Sequence, residues 1–268
     1  MLFTGAGFSS SARDRRGLPI PSSEEISREI WQLCFPEAEQ DASSLTDLFQ
    51  HASHHHPERL EALLRERLCV CEERLPEFYQ RWCSVPWKRA WTLNVDDVER
   101  AAARRFRLPR RIETISAITA PFRRELLGTS ALLFIHLNGC VDDGVRHVTF
   151  STTQYGERLA QHDPWYSQFV DDLMHHPFVI VGTRLEEAPL WRHLHKSYGG
   201  DGNEVPRDVC TAYIISSNLT RARRTLLEEL GITWLRMSAE EFAELALSEP
   251  LSQVQQAATS RIRRRSAH

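Results

Sequence analysis

Thr4-Gly5-Ala6-Gly7-Phe8-Ser9 sets two glycines one residue apart at the end of a short apolar run. Such a pair lets the backbone approach a pyrophosphate, with exposed N–H groups to cradle it. A dinucleotide fingerprint would carry a third glycine at position 10, which is Ser10 here. Taken alone, the motif reads equally well as a tight turn without a ligand. Other apolar runs also end in small polar residues. Thr92-Leu93-Asn94-Val95-Asp96-Asp97 closes one run and opens a helix, where Asp96 or Asp97 can also serve as a cap. His136-Leu137-Asn138-Gly139 closes a second, Gly182-Thr183 a third and Ser216-Ser217-Asn218 a fourth. Polar groups gathered at strand ends are what open α/β sheets use to bind ligands.

Positioning these groups requires strands that alternate with helices. Short runs rich in β-branched or aromatic residues occupy Arg89–Leu93, Leu132–Leu137, Phe178–Val181, Cys210–Ser216 and Ile232–Arg236, after a clipped first strand that ends at Phe3. Helical periodicity marks Asp97–Phe106, Tyr155–Met174, Pro189–Lys196, Leu219–Leu230 and Ser238–Leu247. Near the front, Ser22–Phe35 reads as a helix capped by Ser22 or Ser23, with Ile26, Ile30, Leu33 and Cys34 on one face. Two or three more helices lie between Leu45 and Trp82. The clearest starts at Pro57 and aligns Leu60, Leu63, Leu64, Leu68 and Cys71. The fold class is therefore α/β: a Rossmann-like, doubly wound, mostly parallel sheet with an inserted helical subdomain at about residues 36–86. One domain spans residues 1–250, and the basic stretch 251–268 reads as a frayed tail.

Composition excludes several classes. The 33 Lys+Arg against 36 Asp+Glu give a formal charge of −3, which argues against a dedicated nucleic-acid binder. No run reaches the ~18–20 apolar residues of a membrane span, and no signal peptide precedes Thr4. A cytoplasmic location with reduced thiols is the expectation. The six cysteines contain no C-x-x-C pair, so neither a four-cysteine zinc ribbon nor a thioredoxin-type redox pair can form. His51, His54, His55 and His56 cluster before a helix without supporting carboxylate or thiolate spacing. They are read as structural or solvated, with no metal expected. His175-His176 and the pair His193 and His195 are read the same way.

The order of the motifs resembles the sirtuin-like NAD-hydrolase domains of bacterial antiviral defence proteins. It runs from the glycine motif through Gly17-Leu18-Pro19, Thr92–Asp96, His136–Gly139 and Ser151-Thr152-Thr153-Gln154-Tyr155. It continues with Gly182-Thr183-Arg184-Leu185, Leu190-Trp191, Leu230-Gly231-Ile232 and Glu241-Phe242. The resemblance implies NAD as substrate, with a homo-oligomer or a regulatory defence partner as possible control, while composition already argues against a membrane or direct nucleic-acid contact. It also implies that Gly5, Ala6, Gly7, Phe8 and Ser9 form the phosphate loop, with Gly182, Thr183 and Asn218 on the adenosine side. Asn94 would orient the ribose or the attacking water, and Asp96 would lie beside the nicotinamide ribose. Protein-deacylating sirtuins carry a zinc module with two C-x-x-C pairs and a Gly-Ile-Pro-Asp-Phe-Arg segment. This chain lacks the first and reads Gly17-Leu18-Pro19-Ile20-Pro21-Ser22 at the second, which favours NAD hydrolysis over deacylation.

One departure bears on mechanism. The family's histidine before the middle-motif glycine is replaced here by Asn138, and a histidine stands two residues earlier as His136. An amide cannot accept a proton at neutral pH. Strand periodicity points His136 to the same face as Asn138, ~6–7 Å further back. Three readings stay open: His136 substitutes as base, Asn138 suffices by orienting a water, or the pocket binds without turnover. Relatives also carry a helix and a full first strand before the glycine loop. The loop at residue 4 therefore leads us to expect a true start upstream of Met1 or a truncated copy.

Overall fold

The computed structural model describes residues 1–160, 163–186, 190–191 and 211–247. Its strands are β1 (Leu2–Thr4), β2 (Ala90–Thr92), β3 (Ile112–Ser116), β4 (Leu132–His136), β5 (Phe178–Val181), β6 (Ala212–Ile215) and β7 (Ile232–Leu235). They form one sheet in the order β3-β4-β2-β1-β5-β6-β7, with every neighbouring pair parallel. After β1 the chain builds outward on one side, then returns after β4 to place β5 on the other. The order thus reverses between β1 and β5, where open α/β sheets leave a crevice at the carboxyl ends of their strands.

Strand alternation divides the core in two. Leu2, Ala90, Phe134 and Val181 face one layer of helices; Phe3, Trp91, Ile135 and Ile180 face the other. A single turn, α1 (Ala6–Ser9), follows β1, and the first layer holds α2 (Ser23–Cys34), α3 (Leu45–His55), α4 (Pro57–Leu68), α5 (Phe78–Ser84) and α6 (Val98–Arg105). Ser22 and Glu25 form a capping box that starts α2, and Pro57 opens α4 where its missing N–H costs nothing. Residues 36–86 share their core with α2, since Ile26 and Ile30 join Leu48, Leu60 and Tyr79 in one buried cluster. The second layer contains α8 (Pro164–His175), whose Trp165, Phe169 and Val170 are buried on the sheet.

Two expectations need correction. The single helix over Tyr155–Met174 is two, α7 (Thr152–Ala160) and α8. Pro164 cannot supply an N–H to continue a helix, and the Asp163 carboxylate caps the new one by accepting from the Trp165 and Tyr166 amides. The edge strand β3 was not anticipated, because Ile112-Glu113-Thr114-Ile115-Ser116 is half-buried and only weakly apolar. Among the described residues the sheet is parallel throughout, in keeping with the expected Rossmann-like α/β class. Beyond β6, α9 (Arg221–Glu229) starts at a Thr220 cap and α10 (Ala239–Ala246) at a Ser238–Glu241 capping box. The helix expected at Pro189–Lys196, the loop Gly199–Gly202, Cys210 and the tail 251–268 lie outside the described residues, Leu190 and Trp191 apart.

Candidate functional site

One row of paired residues crosses the sheet at its carboxyl end: Ser116, His136, Thr92, Thr4, Val181, Ile215 and Leu235. The first four are polar and buried. Each strand then leaves the sheet on the same edge, so the four sequence motifs and the glycine loop converge by topology.

The glycine loop and the Gly182 turn interlock at the carboxyl ends of β1 and β5, where the strand order reverses. Gly5 N–H donates to the Val181 carbonyl at 3.0 Å and Gly7 N–H to the Gly182 carbonyl at 2.8 Å. A Cβ on Gly5 would lie 2.6 Å from the Thr183 Cβ, and one on Gly182 would overlap the Phe8 amide nitrogen. Gly182 also sits at φ +73°, a left-handed conformation that glycine adopts without strain. The glycines here therefore serve loop-on-loop packing. Phe8 N–H is bound too, to the Gly5 carbonyl at 2.8 Å. In this arrangement the amides of Gly5, Gly7 and Phe8 point inward, while Ala6 and Gly7 are the exposed residues of the loop. The Phe8 side chain is core: its ring meets Tyr79 and Trp82 edge-on, and the Tyr79 hydroxyl donates to the Phe8 carbonyl at 2.6 Å.

Asn94 joins the end of β2 to this loop. Its Nδ2 donates to the Gly5 carbonyl at 3.0 Å and to Ser9 Oγ at 2.8 Å. A backbone carbonyl can only accept, so the amide orientation is fixed chemically. Among the described residues nothing donates to Asn94 Oδ1, which leaves a positioned acceptor on a side chain that is 8% exposed. The Ser9 hydroxyl also favours the ionised form of the nearby Asp96 carboxylate. Burial pushes the Asp96 pKa up to about 7 against the Ser9 hydrogen bond, with nearby Glu99 adding to the rise and His136 opposing it.

His136 lies beneath this cluster and is fully buried. Its Nδ1 meets the Asn94 carbonyl at 2.8 Å and its Nε2 meets Glu99 Oε1 at 3.1 Å. Thr114 Oγ1 donates to the same Glu99 oxygen at 3.0 Å. Burial opposes charge on both partners. Even so, the ion pair and its hydrogen bonds hold the His136 pKa above its ordinary value and the Glu99 pKa below its own. An imidazole donating from both nitrogens is an imidazolium without a lone pair. Asn138 does not extend the His136 row, because β4 ends at His136 and the chain turns through Gly139 at φ +85°. Its Nδ2 donates to the Leu93 carbonyl at 3.2 Å, and its Oδ1 accepts from Arg158 at 3.3 Å. Arg158 also pairs with Asp163 at 2.5 Å and lies over the Tyr166 ring.

On the other side of the crevice, Thr183 Oγ1 accepts from the Leu185 amide at 3.0 Å, and Leu185 sits at φ +55°. That conformation is costly for a bulky side chain, and the Thr183 hydrogen bond and the burial of Leu185 favour it. Asn218 is exposed in the loop after β6, where its carbonyl accepts from Ser216 Oγ at 3.0 Å. It shares the carboxyl edge with Gly182 but makes no described contact to Asn94 or Asp96. Glu99 and Arg158 were missed in sequence. Glu99 sits beside Val98, Ala101 and Ala102 on the buried face of α6, a periodicity that gives a carboxylate no functional signature. Among the described residues, the His/Cys/Asp/Glu group able to share a metal is Cys34, His51 and His56, none of which belongs to this cluster.

The family model for the SIR2-like domain matches residues 88–235, more than half of the chain. The chain belongs to the SIR2-like domain family. The match runs from the residue before Arg89 to the end of β7, so it includes Asn94, Asp96, His136, Asn138, Gly182, Thr183 and Asn218. The SIR2-like match begins after the glycine loop, which joins the site through the Asn94 hydrogen bonds instead. SIR2-like domains use NAD as substrate or cofactor, which agrees with a parallel sheet whose order reverses beside a glycine loop. No curated protein matches the sequence. No helix among the described residues is long and apolar enough to cross a membrane.

Proposed function

We propose that this SIR2-like domain binds NAD at the β1–β5 crevice and hydrolyses its nicotinamide–ribose bond. The observation that carries the reading is Asn94, whose two N–H groups are committed to the glycine loop and whose Oδ1 is left as a fixed acceptor. In the reaction the C1′–N bond breaks and its electron pair goes to nicotinamide, which leaves neutral. Water oxygen bonds C1′, giving ADP-ribose, and one proton goes to solvent. Asn94 Oδ1 accepts from a ribose hydroxyl or from the attacking water and so orients it. Ionised Asp96, held in a low-dielectric setting, stabilises the cationic ribose that develops as the bond breaks.

His136 acts in this scheme as a positioning residue. Its hydrogen bond to the Asn94 carbonyl sets the backbone from which the amide projects. The motif order supports a role as an NAD-depleting effector of the antiviral-defence kind, and expression in cells should then lower their NAD. A second reading, binding without turnover, is favoured by one observation: both His136 nitrogens and both ends of the Asn138 amide already have partners. Chromatography of NAD incubated with the protein separates the two. Equal release of nicotinamide and ADP-ribose supports hydrolysis; NAD bound and recovered intact at high enzyme concentration supports the second reading. Turnover that requires an acetyl-lysine peptide would contradict both.

A further inference from the structure

The sequence places Cys34 seventeen residues before His51, a spacing without a metal signature. Folding removes that distance. Cys34 is the last residue of α2, His51 lies on α3, and His56 caps α3 and precedes α4. The α2 helix packs along α3 and brings Cys34 Sγ and one ring nitrogen of each histidine within 4.8 Å of one another. All three side chains are half-buried, and none makes a hydrogen bond to any described residue. His51 is held between the Phe35 ring, stacked at 5.0 Å, and the His55 ring at 4.4 Å. Packing thus brings to two of these histidines a thiol that the sequence spacing does not indicate. They lie on α3 and its cap, directly before α4 as expected.

We infer that Cys34, His51 and His56 form a binding site for a divalent transition-metal ion, zinc foremost, with a fourth position open to water. One thiolate and two imidazoles suit a borderline-soft cation and give the three-protein-ligand set of an open tetrahedral zinc site. Bond lengths of ~2.0–2.3 Å put tetrahedral ligand atoms roughly 3.3–3.8 Å apart, so the three donors close on a metal by small side-chain rotations. Binding releases the Cys34 thiol proton, so affinity rises with pH. The bound ion would tie the end of α2 to the α3–α4 junction.

The test uses the full chain without a histidine tag, stripped with EDTA and titrated with Co²⁺. One Co²⁺ per chain with a thiolate-to-cobalt charge-transfer band is expected, abolished by added Zn²⁺. The band should vanish in Cys34→Ser, weaken at least tenfold in apparent affinity in His51→Gln and His56→Gln, and persist in His54→Gln and Cys71→Ser. Zn²⁺ should raise the Tm of the wild type and leave that of Cys34→Ser unchanged. Metal-free circular dichroism establishes that each variant is folded. A folded wild type without a thiolate band at stoichiometric Co²⁺, or an unaltered band in Cys34→Ser, would overturn the site.

Discussion

His136 Nε2 lies 3.1 Å from Glu99 Oε1, a buried ion pair whose imidazolium also donates to the carbonyl of Asn94. Removing one partner strands a charge in the core, at a cost of about 3–5 kcal/mol. His136→Gln and Glu99→Gln should therefore each destabilise strongly, and the double variant should lose less than the two losses combined. Urea melts of the four proteins measure this coupling, and additive losses would contradict the pair. Nitrogen NMR should show both His136 ring nitrogens protonated at pH 7. The pair's contribution fades in acid as Glu99 protonates through its lowered pKa, and in base as His136 loses its proton through its raised one.

Asp96 gives the opposite pH dependence. Its pKa rises from 3.8 to about 7 on folding, so between those values the folded state binds more protons than the unfolded chain. Stability from this group must fall as pH rises across that window and stay level above it. Asp96→Asn keeps an acceptor for Ser9 without the charge. Relative to wild type, the variant should gain stability from pH 4 to pH 8 while losing most nicotinamide release. A stability difference that is constant with pH would show that Asp96 is not the burdened carboxylate.

Gly182→Ala should damage the crevice more than an ordinary surface change. The added Cβ would overlap the Phe8 amide and approach the Gly7 carbonyl carbon at 2.7 Å, at a φ that favours glycine. A loss of about 2 kcal/mol or more is expected, with weaker NAD binding, measured by melts and calorimetry. Gly128→Ala, where an added Cβ meets open space, is the control and should change neither.

Asn138→His tests the missing base. An imidazole there can accept a proton, and the Arg158 guanidinium beside it would keep the ring neutral. A general base contributes about 10²–10⁴-fold, so even imperfect placement should raise kcat at least tenfold. Steady-state kinetics across pH would show the gain lost in acid as the ring protonates. An unchanged kcat would mean that proton removal does not limit the reaction.

Much of the fold was legible because strands buried on both faces leave continuous apolar runs, as Leu132–Ile135 and Phe178–Val181 do. β3 escaped notice because one half-buried edge strand with Glu113 and Thr114 looks like loop sequence. Asn94 and Asp96 were readable as a strand-end pair, and Ser9, bonded to Asn94, also acts on the Asp96 carboxylate. The partners that decide protonation were not readable. Glu99 reaches His136 only because α6 lies under β4, and Arg158 reaches Asn138 from a helix twenty residues away. Cys34 joins His51 for the same reason: helix packing sets the distance, and sequence spacing does not.

Hydrolysis as proposed needs Asn94 to orient ribose or water, and Asn94→Ala probes that need. NAD affinity and the rate of nicotinamide release should be measured on the same pair of proteins. Asn94→Ala should lose at least a hundredfold in kcat, with NAD affinity changed by less than tenfold. Nicotinamide release at the wild-type rate by a folded Asn94→Ala protein would contradict it.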